Sequence, residues 1–527
     1  MEKNIIIAAI VIVVIIIAAV GAYLVMSGGT TENPTPSTVI YGYGSEMITL
    51  DPSTEFSNSI VTLLNVYEDL TKYVNSEVKP WLATSWESNS DATVWTFHLR
   101  QGVKFHSGND FTANDVKWSI ERTMRMGQGA AFIWDPVDEI KVIDDYTVEF
   151  HLKYSANLPL IATAGYGAFI MDSQALSEIG NDTQIANYLN EGHDAGSGPY
   201  YISSYDPKTQ VVLKKFDDYW GGWTDKQFDV AVIKIIPDAS LREQMVTSNQ
   251  IQITRDLPLD DIPVLENNEN VVVDATPSYQ ELYAMLNTVK EPLSNKLVRQ
   301  ALSYATPYED LVEYVLNGYG EVAKCPIPKG MPGYFDDLNT YTYDLQKARE
   351  LLNQSGYGDG FNLLLTYTAG DDAERKVAEL LQSSWKKIGV DLEIRPLNWE
   401  QQWSFATSDP QKAQDVLIFY WWPTYPTPYD FLFNLFHSED EPFFNLAYYK
   451  NSEFDDLIDQ AVALEGTDMT KALSLYKQAE QIVMDDAAAI FLYTPDDVYV
   501  MSKTITGFQD NPGYPQVVFF YELRQTS

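Results

Sequence analysis

The sequence predicts a mixed α and β fold, and three observations carry that prediction. Two runs alternate apolar and polar residues, one segment carries the signals of a helix start, and one helical stretch leads through a glycine into a strand. No repeat period of 20 to 50 residues runs through the chain, which sets solenoids and propellers aside. At 527 residues and 45% hydrophobic content the chain can build substantial cores.

In chain order, the first feature is an uncharged run from Ile5 to Met26, rich in Ile, Val and Ala. At about 22 positions it has the length of a bilayer-spanning helix. Lys3 on its near side places the remainder outside the cytoplasm by the positive-inside rule. The uninterrupted run favours a retained anchor over a cleaved signal, and no cysteine follows it closely to accept a lipid. Residues 27–38 (SGGTTENPTPST) are small, polar and proline-containing, and read as a stalk. Folding is expected to start near Val39.

The two alternating runs are TVWTFHLR, Thr93 to Arg100, and YTVEFHLK, Tyr146 to Lys153. Trp95, Phe97 and Leu99 face the core in the first, and Tyr146, Val148, Phe150 and Leu152 in the second. His98 and His151 stand on the opposite faces and would neighbour each other if the strands pair, but no further ligands accompany them and a solvated face is the expectation. Between the runs, Thr112 caps a helix with Asp115 three residues on, and Phe111 and Val116 form a staple around it. A later helix opens at Asp371 with acidic residues in its first turn. It buries Val377, Leu380, Leu381, Trp385 and Ile388, and stops at Gly389. Val390, Leu392 and Ile394 then alternate with charged residues as a strand.

Composition excludes several functions. Seventy-four acidic against 35 basic residues give a formal charge of -39, which repels nucleic acid and anionic lipid. A single cysteine, Cys325, rules out an intramolecular disulfide and a thiolate metal cluster, and five scattered histidines point to no metal site. No cofactor is expected. Motifs for a nucleophile elbow, a zinc protease or a phosphate loop do not occur. The sequons at Asn181 and Asn353 are candidate glycosylation sites at a frequency close to chance.

The stretch WLATSWESNSDATVWTFHLRQGVKFHSGNDFTANDVKWS, Trp81 to Ser119, closely resembles the signature of the peptide-type solute-binding proteins of ABC importers, family 5. Further segments fit that family in order: GYGSEMITLDP from Gly42, GSGPY from Gly196, FDDYWG from Phe216, VRQALSY from Val298, YDLQKARELL from Tyr343 and FDDLI from Phe454. The resemblance implies a two-lobed clamp, of the type II, cluster C kind, with an extra subdomain in the first lobe. Lobe I is expected over 39–69, 191–282 and 491–527, the inserted subdomain over 70–190, and lobe II over 283–490. Bacterial members usually carry a lipid-modified cysteine, whereas this chain has a membrane segment as archaeal members often do. Family peptide binders hold the ligand amine with an aspartate four residues before a proline in lobe II. That position is Thr424 here, ahead of Pro428, with Asp430 nearby.

Candidate ligand contacts follow. Trp421, Trp422, Tyr425 and Tyr429 cluster among Pro423, Pro426 and Pro428, which argues for a stiff, exposed aromatic loop without regular helix. Mapped by the resemblance, this loop and Asp430 face the cleft from lobe II. Gly198, Pro199 and Tyr200 line the lobe I wall, or simply turn into a strand. Tyr279 and Glu281 fall near the crossing between lobes, and Arg255 is a candidate partner for a ligand carboxylate. The expected function is capture of an oligopeptide by a monomer that docks on membrane permease subunits, with an oligosaccharide as the alternative ligand. A surface hydrolase and a surface-coat protein are the competing classes.

Overall fold

The computed structural model describes residues 36–526. The expected anchor over 1–26 and nearly all of the stalk over 27–38 lie outside the described residues. The folded unit starts at Thr38, beside the expected start at Val39. Among the described residues no helix is long and apolar enough to cross a membrane.

A twelve-stranded sheet organises the fold in two halves. In one half, Thr38–Tyr43 runs parallel to Val230–Ile235 and to Ile253–Arg255, and Gln210–Lys215 and Tyr200–Asp206 extend it antiparallel. In the other, Phe361–Thr368 runs parallel to Val390–Leu397 and Val416–Trp421, and Glu281–Leu286 lies antiparallel to Val416–Trp421. The long strand Ala489–Ser502 belongs to both. Its first residues pair with Glu281–Leu286, its last with Val271–Pro277 and Ile253–Arg255.

The apolar interior falls into three clusters, two confined to one half each and the largest shared by both. Leu282, Val298, Leu381, Trp385 and Ile490 belong to one core, whereas Val246, Ile262, Val498 and Val500 pack a second. The largest core holds the remainder, including a separate four-stranded antiparallel sheet ordered 83–88, 94–99, 147–152, 137–144.

That small sheet is the one expected from the alternating runs. Trp95, Phe97, Leu99, Val148, Phe150 and Leu152 are buried. The histidines, however, do not neighbour each other. The antiparallel register sets His98 opposite Thr147 and His151 opposite Val94, so they stand at opposite ends of the ladder. His151 is engaged by Glu149 at 2.5 Å instead. The helix between the runs spans Ala113–Met126, with Thr112 and Asp115 forming the capping box. The αβ unit is also present, as the helix Asp372–Lys386, Gly389 at φ +89° and the strand Val390–Leu397. Asn181 caps the helix Asp182–Asn190, its side-chain oxygen accepting from Gln184 N–H.

Candidate ligand-binding cleft

The two halves are joined where the sheet changes partners. Val271–Pro277 pairs with Ala489–Ser502 as far as Pro277 opposite Asp496, and pairing resumes with Leu282 opposite Tyr493. Residues 278–280 and 494–495 are therefore the crossings. Ser278 Oγ ties the two together by donating to Pro495 O at 2.6 Å. Two adjacent antiparallel strands can bend about such a point.

Beside the crossings the halves meet through side chains. From the second half, Val416–Trp421 delivers the aromatic segment, and the Trp422 indole approaches the Tyr166 hydroxyl of the first half. A Cβ placed on Gly513 would lie 3.5 Å from Pro426 Cγ. Gly466 fits more tightly, since a Cβ there would come within 2.6 Å of Ala92 Cβ and 2.7 Å of Ala156 O.

The aromatic segment differs from the expected exposed loop. Pro428 is the first residue of the helix Pro428–Phe436, a position where proline's fixed φ suits the helix and its missing N–H costs nothing. Thr427 caps that helix by accepting from Tyr429 N–H. The segment is also largely buried. Tyr425 is in the core, Tyr429 stacks on Phe433 with centroids 4.7 Å apart, and Trp421 packs edge-on against Phe444 at 4.9 Å. Tyr425 is buried in the core without such a ring pair, and Trp422 is half-buried.

Asp430 serves the segment itself. Its Oδ2 accepts from Thr424 N–H at 2.9 Å and its Oδ1 from Asn434 Nδ2 at 3.0 Å. Burial pushes its pKa up to about 7, against the opposing pull of the Thr424 and Asn434 bonds and of the Trp421 indole, which lies close without a bond. The carboxylate is thus a clamp that folds residues 424–430 back on themselves.

The remaining expected residues divide between core and crossing. Gly198 donates to Val66 O at 2.9 Å, and a Cβ there would lie 2.7 Å from the Val66 carbonyl carbon. That close approach to the end of the helix Ile60–Val66 requires a glycine. Pro199 O accepts from Phe216 N–H, and Tyr200 is fully buried with its hydroxyl donating to Phe228 O at 2.8 Å. Both are buried, and Pro199 lines a small cavity with Glu68, Lys72 and Trp81. Arg255 is held by Asp497 at 2.9 Å and Asp256 at 3.1 Å, while its Nη1 is buried without a hydrogen-bond partner. Tyr279 lies within the 278–280 crossing and Glu281 directly follows it. Tyr279 donates to Gly330 O at 3.0 Å, while both carboxylate oxygens of Glu281 are buried without a hydrogen-bond partner. Burial, with Glu480 adding to it, holds the Glu281 pKa well above the ordinary carboxylate range, and Glu281 stands opposite Trp421 in the strand register.

Residues that sequence reading missed lie on the first half. Tyr166 meets Trp422, Tyr154 lies near Tyr425 and Tyr429, and Tyr43 and Glu55 stand behind Tyr166. Nothing local marks them, because the contacts that unite them join residues more than 100 positions apart. Among the described residues no group of three His, Cys, Asp or Glu is placed to hold a metal ion. A hinged pair of lobes with aromatic rings and two buried carboxylates at the contact suits enclosure of a small polar solute.

Comparison with known proteins agrees with this geometry. The chain is 31% identical over 490 residues to the probable D,D-dipeptide-binding periplasmic protein DdpA of Escherichia coli, covering 91% of this chain and 92% of that one. It is 29% identical over 478 residues to the glutathione-binding protein GsiB of Salmonella typhimurium, with coverages of 89% and 91%. The solved periplasmic binding protein DppA of Helicobacter pylori, associated with an ABC transporter and holding the peptide STSA, superposes with a TM-score of 0.79 at 26% identity. That match covers 93% of this chain and 98% of that one. The clamp expected from the sequence is therefore the architecture present. With residues 77–443 also matching the profile of bacterial extracellular solute-binding proteins, family 5 Middle, the chain belongs to the family 5 extracellular solute-binding proteins.

Proposed function

We propose that this chain captures a peptide-like solute between its lobes and presents it, as a monomer, to the permease subunits of an ABC importer. The lobes change at the 278–280 and 494–495 crossings, a few residues from the boundaries at 282 and 490 read from the sequence, with the subdomain over 70–190 carried on lobe I. Residues 5–26 serve as a retained anchor that keeps the folded part outside the cytoplasm. The observation that carries the reading is the paired crossing, where two strands join two halves of the sheet whose facing surfaces meet at Trp422, Tyr166, Pro426 and Gly466.

A peptide is favoured over an oligosaccharide for two reasons. The named relatives are binders of a D,D-dipeptide, glutathione and the peptide STSA. In addition, sugar stacking needs open ring faces, and Tyr425 and Tyr429 spend theirs on the core and on Phe433. Mass spectrometry of solute carried through native purification tests the assignment. Peptide masses are expected, and a ladder of hexose masses would overturn it. Recovery of a hydrolysed product from an added peptide would return the hydrolase reading.

A further inference from the structure

Side chains alternate between the two faces of a strand, and the apolar clusters follow that alternation through both halves of the sheet. On the long strand Ala489–Ser502, Phe491 and Tyr499 lie in the shared cluster, whereas Ile490 and Leu492 lie in the cluster of lobe II and Val498 and Val500 in that of lobe I. On the neighbouring strand, Tyr283 and Met285 follow Phe491, and Leu282 and Ala284 follow Ile490. Tyr166, Tyr425 and the partly buried Trp421 belong to the shared cluster, so the rings that meet between the lobes occupy one face of the sheet.

The opposite face carries a second contact between the lobes, in which each lobe sends a side chain against the interior of the other. Leu259, from the segment after the strand Ile253–Arg255, packs against the clusters of both lobes. Tyr319 of lobe II packs against the cluster of lobe I, and its hydroxyl donates to Glu266 Oε1 at 2.8 Å. Beside them, Asp260 Oδ1 accepts from Asn317 Nδ2 at 2.6 Å, and Lys376 Nζ stands 3.8 Å from Asp260 Oδ2. This seam is fastened to the crossing itself, since Tyr319 O accepts from Asp496 N–H at 3.1 Å and Gly320 pairs opposite Pro495.

A sheet that bends about a line brings one face together and spreads the other. Closing the lobes over a solute on the ring face therefore draws Leu259 and Tyr319 apart, and opening the lobes presses them together. Packed side chains lose contact energy when they are spread, so the seam acts on the lobe angle without touching the solute. A solute shifts the balance only by what it gains in the closed form over the open one, and the separation of the seam is subtracted from that gain.

We propose that Leu259 and Tyr319 form a counter-seam that holds the empty lobes open and so lowers the affinity for solute. Its effect on affinity rests on the peptide reading above, while its effect on the lobe angle does not. Leu259→Trp adds volume to the seam, wedges that face apart and should close the ring face. Ser90 and Gln478 are exposed on the two sides of the approach of Ala92 to Gly466, and the native Cys325 is buried. Pulsed electron spin resonance on detergent-solubilised full-length protein, with labels at Ser90→Cys and Gln478→Cys, reads the separation of the lobes without solute. The wild type should populate a longer and a shorter distance, and Leu259→Trp should move the weight to the shorter one. Equilibrium dialysis against a random tripeptide mixture should show an apparent affinity raised about fivefold. Should Leu259→Trp fail to fold, Leu259→Phe carries the same test with a smaller wedge. Unchanged distances with a lowered melting point would make the seam ordinary packing and overturn the proposal. A shift to the longer distance with weaker binding would make it a latch of the closed form and overturn it equally. Tripeptides held by neither protein would overturn the peptide reading, and the distances would still decide on the seam.

Discussion

Glu55 and Asp430 are buried carboxylates on opposite sides of the contact between lobes, and burial pushes both to a pKa of about 7. They differ in how their oxygens are used. Asp430 accepts at both, from Thr424 and Asn434, whereas Glu55 accepts at Oε1 and leaves Oε2 unmet. A perturbed pKa therefore does not by itself mark a binding group. What separates these two is hydrogen-bond capacity that the protein has left unspent, a feature Glu55 shares with Glu281 and Glu480.

The same contrast runs through the rings nearby. Tyr425 and Tyr429 are spent on packing, and Trp422 approaches Tyr166 of the other lobe. Asp430→Ala tests the spent side and should give the largest effect. It strands the buried Thr424 N–H and the Asn434 amide, a loss of about 3 kcal/mol in stability, and the melting temperature should fall by several degrees. Peptide affinity of the protein that remains folded should hardly change. A normal melting point with lost affinity would make Asp430 a solute contact instead.

Trp422→Ala tests the unspent side. Removing a ring at the centre of a closing contact should cost about 2 kcal/mol of affinity, roughly thirtyfold, with little change in thermal stability of the empty protein. Calorimetric titration beside thermal melts separates this from a packing role. Gly466→Ala should be milder. Its Cβ would press on Ala92 and the Ala156 carbonyl, a contact made between the lobes, so affinity should drop by about 1 kcal/mol while the empty protein melts normally. A depressed melting point without peptide would place that contact in the fold of the empty protein as well.

Much of the fold was legible because its signals are local. The capping box at Thr112 and Asp115, the alternation of the 94–99 and 147–152 strands and the stop at Gly389 each need only a few neighbouring residues, and each appears in the structure. The site was less legible. Three prolines suggested an irregular, exposed loop, but Pro428 sits where a helix begins, and four aromatics in a row of turns became partly core. Tyr200 and Gly198 look like a cleft wall in sequence because a G-S-G-P-Y turn has no marker for what packs over it. What packs over it is the carbonyl of Val66 and the core around Phe520. Glu55 has no local signature at all. Its setting depends on Tyr166 and Trp422, which the chain brings to it from over 100 residues away.

The smallest effect expected is also the one that best separates the two carboxylates. An acid whose folded pKa lies above its unfolded value of about 4.3 binds its proton more tightly when folded, so its share of stability is present in acid and is lost as pH rises through about 7. Glu55 and Asp430 both have this sign. Glu55→Gln replaces the protonated form by a neutral amide of the same shape that still accepts from Ser57 and Ser59. At pH 5 it should melt within a degree or two of the wild type, since Glu55 is already neutral there. At pH 8 it should be the more stable of the two in the absence of solute, because the cost of a buried, unpaired charge is gone. Asp430→Asn cannot behave this way. Its amide offers one acceptor where two donors, Thr424 N–H and Asn434 Nδ2, must be met, so one donor faces an NH2 group at every pH. Thermal melts of both variants at pH 5 and pH 8 therefore diverge, with Asn lower at both values and Gln equal at one and higher at the other. A Glu55→Gln variant that is less stable than the wild type at pH 8 would mean that Oε2 already has a donor in the empty protein, and the difference between the two carboxylates would disappear.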